Sequence, residues 1–129
     1  MNQIVNPNSV HKPLGAYSHT VRIPHDTDIL VIAGQVGMNS KGKLQDGIRK
    51  QAEQALRNVL ACLREHGMRK QDLVKMTTFL TDPRYADAYR SARKKIMGET
   101  TMPASTLLIV DGLASPDMLI EVEAMAAKS

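Results

Sequence analysis

Pro103 and the apolar run that follows it constrain the fold of this chain more than any other feature. Proline has no N–H to give a sheet ladder and biases Met102 toward an extended backbone, so a strand is predicted to begin just after it, with Ser105 and Thr106 at its mouth. Leu107 to Val110 is apolar at every position. A strand so short and so uniformly apolar is expected to have both faces covered. The fold must therefore supply one cover from its helices and a second from elsewhere.

Composition narrows the class. At 129 residues, 43% hydrophobic and 23% charged, the chain has material for one core and too little for two, so a single domain over 1–129 is expected. No apolar run approaches the ~20 residues of a bilayer-spanning helix, and Met1-Asn2-Gln3 lacks the order of a signal peptide, which makes the cytoplasm the expected address. The single cysteine, Cys62, excludes an internal disulfide and falls among apolar helix positions, as a buried structural thiol would. A net charge of +4 raises nucleic acid as a partner. Yet the basic residues are scattered among acids, and the chain has one Phe and no Trp for base stacking, so nucleic-acid binding is not expected. The longest basic cluster, Arg93-Lys94-Lys95, reads as a solvated helix face.

In chain order, a short strand at Gln3 to Val5 precedes a loop with Pro7 and Pro13. Ser18 to Ile23 is predicted as a strand, with Tyr17, His19 and Val21 on one face. After a turn at Pro24-His25-Asp26, Ile29 to Ile32 is apolar on both faces, and the two strands are expected to form a hairpin. Ile48, Ala52, Ala55, Leu56, Val59, Leu60 and Leu63 recur at helical spacing, predicting a helix from about Asp46 to Glu65 that stops at Gly67. Asp72 to Leu80 alternates as a strand. Asp82-Pro83 then opens a second helix through about Met97, ended by Gly98. The last strand, Leu119 to Ala126, places Glu121 and Glu123 on one face.

The order is thus β-β-β-α-β-α-β-β, an α+β chain with two helices beside a six-stranded mixed sheet. Two helices cover only one face of such a sheet, so a second copy of the chain is expected to hide the other. Clefts between copies are concave and partly dry, and a small-molecule ligand is expected there.

Several blocks sharpen this reading: Gly15-Ala16-Tyr17-Ser18, Ala33-Gly34-Gln35, Gln51-Ala52 to Asn58, Val74 to Asp82, Pro103-Ala104-Ser105 and Ile120 to Ala126. Their series, running from about Asn6 to Ala126, resembles the YjgF/RidA (Rid) family. The resemblance implies a chorismate-mutase-like subunit assembled as a homotrimer, with pockets between neighbours. It also implies hydrolysis of reactive enamines or imines to a keto acid and ammonia, without a bound cofactor. On the same resemblance Tyr17 is the pocket tyrosine, Gly34 lies in a backbone-lined wall, and Glu121 positions water. The family's carboxylate-binding arginine falls in the block Pro-Ala-Arg-Ser; this chain reads Pro103-Ala104-Ser105-Thr106, with Ser105 in that place. The asparagine of the second helix in active members is replaced near Tyr89.

A guanidinium grips a carboxylate through a planar fork of charge-assisted bonds worth ~1.5–3 kcal/mol each, whereas serine offers one neutral hydroxyl. A carboxylate is therefore expected to bind poorly at Ser105, which leaves a neutral ligand or one whose anion is met elsewhere. His19, on the strand face of Tyr17, is the nearest substitute, able to hydrogen-bond a ligand or exchange protons near neutral pH; a plain interface histidine would show the same pattern. His11, His19, His25 and His66 show no metal-ligand spacing, and the glycines form no nucleotide loop, so neither metal nor cofactor is expected. The expected function is hydrolytic deamination of a reactive enamine, imine or related C–N metabolite with altered substrate choice. The alternative is a non-catalytic ligand-binding or regulatory trimer. The endoribonuclease or translation-inhibitor role also attached to the family fits the scattered charge less well.

Overall fold

The computed structural model describes residues 1–129. Its elements are β1 (Gln3–Val5), β2 (Thr20–Arg22), β3 (Asp28–Val36), α1 (Gly47–Glu65), β4 (Leu73–Leu80), α2 (Ala86–Met97), β5 (Ala104–Ile109) and β6 (Ile120–Lys128), in the order expected. Four strands form a mixed sheet in the order β3-β6-β4-β5, with β4 and β5 its only parallel neighbours.

Two expectations about strand pairing are corrected. The six strands do not share one sheet, because β1 and β2 form a separate antiparallel ribbon. For the same reason the hairpin between β2 and β3 does not form. β2 has three residues and pairs all of them with β1, whereas β3 runs well beyond Ile32 and pairs seven positions with β6. The longer ladder satisfies more backbone donors and acceptors, so β3 goes to the distant strand rather than the adjacent one.

Both helices pack on the same face of the sheet. α1 buries Ala52, Ala55, Leu56, Val59 and Leu63 against Ile32, Met76, Leu80, Val122, Ala124 and Ala126. Gly67, at φ 68°, turns the chain out of α1 as predicted. The second helix starts later than expected, through a 3₁₀ turn at Pro83–Tyr85, where the Asp82 carboxylate accepts the Arg84 N–H at 2.8 Å. Gly98, at φ 75°, ends α2. Between the helices the buried Glu53 carboxylate receives Lys95 Nζ at 3.0 Å and Arg49 Nη1 at 3.3 Å. These partners, Lys95 first, hold its carboxyl below the ordinary carboxylate range against the opposing effect of burial.

The opposite face has no cover within the chain. Val31 is 71% exposed and Ile29 56% on β3. β5 is an edge strand, and Leu107, Leu108 and Ile109 stay partly exposed along it. The double covering expected of the Leu107–Val110 run is thus absent in one chain, since two helices reach only one side. Cys62 is half-buried rather than buried, packed at the margin of the core.

Candidate functional site

The strand mouth after Pro103 forms as the proline dictates, and it recruits the loop before β2. Ser18 N–H donates to the Pro103 carbonyl at 3.1 Å, and Ser18 bridges Ala104 in parallel. That pairing seats the Leu14–Tyr17 loop against the start of β5. The Tyr17 hydroxyl accepts the Leu14 N–H at 3.1 Å, which leaves its own proton free to donate. Ser105 Oγ donates to the Pro103 carbonyl at 3.2 Å, so its hydroxyl is partly spent on its own backbone. Thr106 Oγ1 accepts from Lys75 Nζ at 2.7 Å on the helix-free face.

These residues form one side of a cleft of ≈ 690 Å³, and α2 forms the other with Tyr89, Arg90, Arg93 and Lys94. The volume lies within the range of small-molecule sites. Tyr89 is buried, and its hydroxyl accepts from Thr78 Oγ1 at 2.9 Å. Burial pushes this phenol up from its ordinary pKa, with the Thr78 bond and the Arg93 charge pulling partly back.

A second group lies two strands away. Between Ile32 and Gln35 the register of β3 on β6 shifts by a bulge, so that Ala33 and Gly34 face the single residue Glu123. The Glu121 side chain lies over Gly34: a Cβ there would stand 2.7 Å from Glu121 Cδ and 2.9 Å from Cγ. Gly34 is therefore a floor under the Glu121 carboxyl. Glu121 and Glu123 both point away from the helices, as expected from their alternation with the buried Ile120, Val122 and Ala124.

Of the six candidate residues, the chain thus brings Tyr17, Ser105 and Thr106 together at the β5 edge, and Gly34 with Glu121 on β3 and β6. β4 separates the strands that carry the two groups. His19 is outside the cleft lining. Its ring meets Tyr17 edge-on at 5.8 Å, and its Nε2 donates to the His11 carbonyl at 2.6 Å.

Of the α2 wall, the sequence singles out only the neighbourhood of Tyr89, through the family resemblance. Arg93 was assigned to a solvated face, yet it is 6% exposed. The signal lay in the spacing, since Tyr89, Arg93 and Met97 recur every four residues and all three are buried. Elsewhere, no three His, Cys, Asp or Glu side chains converge as metal ligands, and no helix is long and apolar enough to cross a membrane.

Two helices on one face of a mixed sheet, with a cleft at the parallel edge, define a small α+β fold of the Rid type. A solved structure from Yersinia pestis, YyfB, described as a protein of unknown function of the conserved Rid protein family, has this fold. It matches at a TM-score of 0.83 and 29% identity over 97% of each chain. The RutC family protein of Pyrococcus horikoshii is 32% identical over 130 residues, 99% of both chains. That of Aquifex aeolicus is 39% identical over 71 residues, 54% of each chain. The family described as endoribonuclease L-PSP matches residues 8–128, and the chain belongs to it.

Proposed function

We propose that this chain acts on a small C–N compound, hydrolysing a reactive imine or enamine in a cleft completed between subunits of a homotrimer. The observation that carries this reading is the division of the site. Tyr17 and Ser105 sit at the β5 edge and Glu121 on its glycine floor at β3 and β6, with Val31 and Leu108 exposed nearby on the helix-free face. A neighbour placed against that face would hide the apolar side chains and set the β5 edge of one chain beside the Glu121 of the next. Glu121 then takes a proton from water while the water oxygen bonds to the imine carbon. The C=N electron pair moves to nitrogen, which gains a proton supplied by Tyr17. Collapse of the carbinolamine expels ammonia and leaves the carbonyl product. No resident cofactor enters this sequence.

The test generates an imine with an amino-acid oxidase and follows its loss beyond the spontaneous rate. Wild-type protein is expected to accelerate that loss, and Glu121→Ala to remove most of the acceleration, about 10²–10⁴-fold for a lost general base. Equal rates for wild type and Glu121→Ala would overturn the assignment. A second reading, ligand binding without turnover, is favoured by the Ser105 hydroxyl, which is turned to its own backbone carbonyl. Ligand-dependent stabilisation with no acceleration would select it.

A further inference from the structure

The cleft holds one charge with no counter-ion. Arg90 pairs with Asp87 at 3.2 Å, and Lys94 pairs with Glu99 at 2.9 Å. Arg93 alone among the cationic residues lining the cleft has no carboxylate within 4.0 Å, although it is the most buried of them. Its Nη2 donates to the Thr101 carbonyl at 3.1 Å, and the guanidinium also lies against the Tyr89 hydroxyl. A guanidinium has five N–H donors, and burying it without an anion is costly. Neither a backbone carbonyl nor a neutral phenol neutralises it. Leu14, Met102 and Leu107 line the same cleft and supply apolar wall.

We infer that Arg93 is an anion subsite of this cleft, where it receives the carboxylate of a small aliphatic acid from the α2 side while the apolar wall takes the hydrocarbon part. The planar fork suits a planar carboxylate, and the wall disfavours a fully hydrated inorganic anion. The anion unmet at Ser105 is thus met by a neighbouring element. The inference rests on the reading of this cleft as the ligand site.

The experiment titrates the isotope-labelled full chain with butanoate, with its uncharged counterpart butanamide, and with inorganic phosphate, following amide shifts in the Leu14–Tyr17 loop and α2. Butanoate is expected to bind about tenfold or more tightly than butanamide, and Arg93→Gln to erase that preference, with Arg93→Lys intermediate. A residue that only anchored the Thr101 loop would lower the melting temperature on substitution without changing the acid-to-amide ratio. Should Arg93→Gln fail to fold, Ser105→Asp decides: it keeps Arg93, adds a carboxylate to the same cleft and is expected to abolish butanoate binding. No butanoate binding, equal binding of acid and amide, unaltered preference in Arg93→Gln, or tighter binding of phosphate would each overturn the assignment. Arg93-dependent butanoate binding without imine hydrolysis would overturn only the hydrolytic reading. Hydrolysis of carboxylate imines with unchanged KM in Arg93→Gln would overturn only this one.

Discussion

Gly34→Ala is the sharpest probe of the Glu121 position. The added Cβ would stand 2.7 Å from Glu121 Cδ, where ordinary contact begins at 3.4 Å, so the carboxyl must withdraw by at least 0.7 Å (3.4 − 2.7). Its oxygen, nearer still, must move further. The atoms that yield are the free end of a flexible side chain, and Gly34 is outside the left-handed region, so alanine fits its backbone. Stability should therefore change by less than about 1 kcal/mol, because unfolded-state entropy favours alanine by roughly as much as an off-rotamer glutamate costs. Activity should fall far more. A displacement near 1 Å can cost about 10²-fold, equivalent to ~2.7 kcal/mol on the barrier. The assay pairs imine hydrolysis with urea unfolding of the same samples. Gly37→Ala serves as contrast, since its Cβ would run into the backbone of Gln51 on α1 and stand 2.8 Å from Cγ of the same residue. There the strain falls on the fold, at about 1–3 kcal/mol. Gly34→Ala with wild-type turnover would show that the Glu121 carboxyl takes no part in the reaction.

Glu53→Gln should cost about 1 kcal/mol at pH 7, discounted because Lys95 and Arg49 are themselves largely exposed. The folded-state pKa of Glu53 is lowered, so its contribution is present above the unfolded value near 4.3 and lost as pH falls through the folded one. Unfolding curves of wild type and Glu53→Gln should accordingly draw together as pH falls below the unfolded value near 4.3, and a gap that did not narrow there would refute the ion-pair account. Sedimentation equilibrium should find a trimer at micromolar concentration. Val31→Lys, on the open face, should drive it toward monomer with its helical circular dichroism intact, and a well-folded wild-type monomer would remove the basis for a shared cleft.

What the sequence reveals depends on how far apart the interacting residues are. The apolar spacing of α1, the glycine stops at Gly67 and Gly98, and the alternation of Val74, Met76, Thr78 and Leu80 are local patterns, and each reappears in the structure. Strand pairing is not local. Nothing near β3 in the sequence announces β6 as its partner, so the nearer strand looks like the natural choice until ladder length is compared. The bulge that puts Gly34 under Glu121 is likewise invisible in an alternation pattern, because its cause is a mismatch with a strand far along the chain. Tyr17, Ser105 and Thr106 were legible through the Pro103 strand and the family resemblance. Arg93 was not, because a charged residue beside two lysines looks solvated unless its four-residue spacing from Tyr89 and Met97 outweighs its charge.

β6 comes last of the six strands in the chain, yet it lies inside the sheet, between β3 and β4. During synthesis the helices and the first five strands therefore emerge before the strand that joins them exists. β3 waits unpaired, and within the four-stranded sheet only the β4-β5 pair can form in advance. Closing long loops before any contact rewards them is slow, so folding should have a late step set by the arrival of Ile120–Lys128. A chain stopped short of that segment would be left with two unjoined pieces of sheet and exposed strand edges open to other chains.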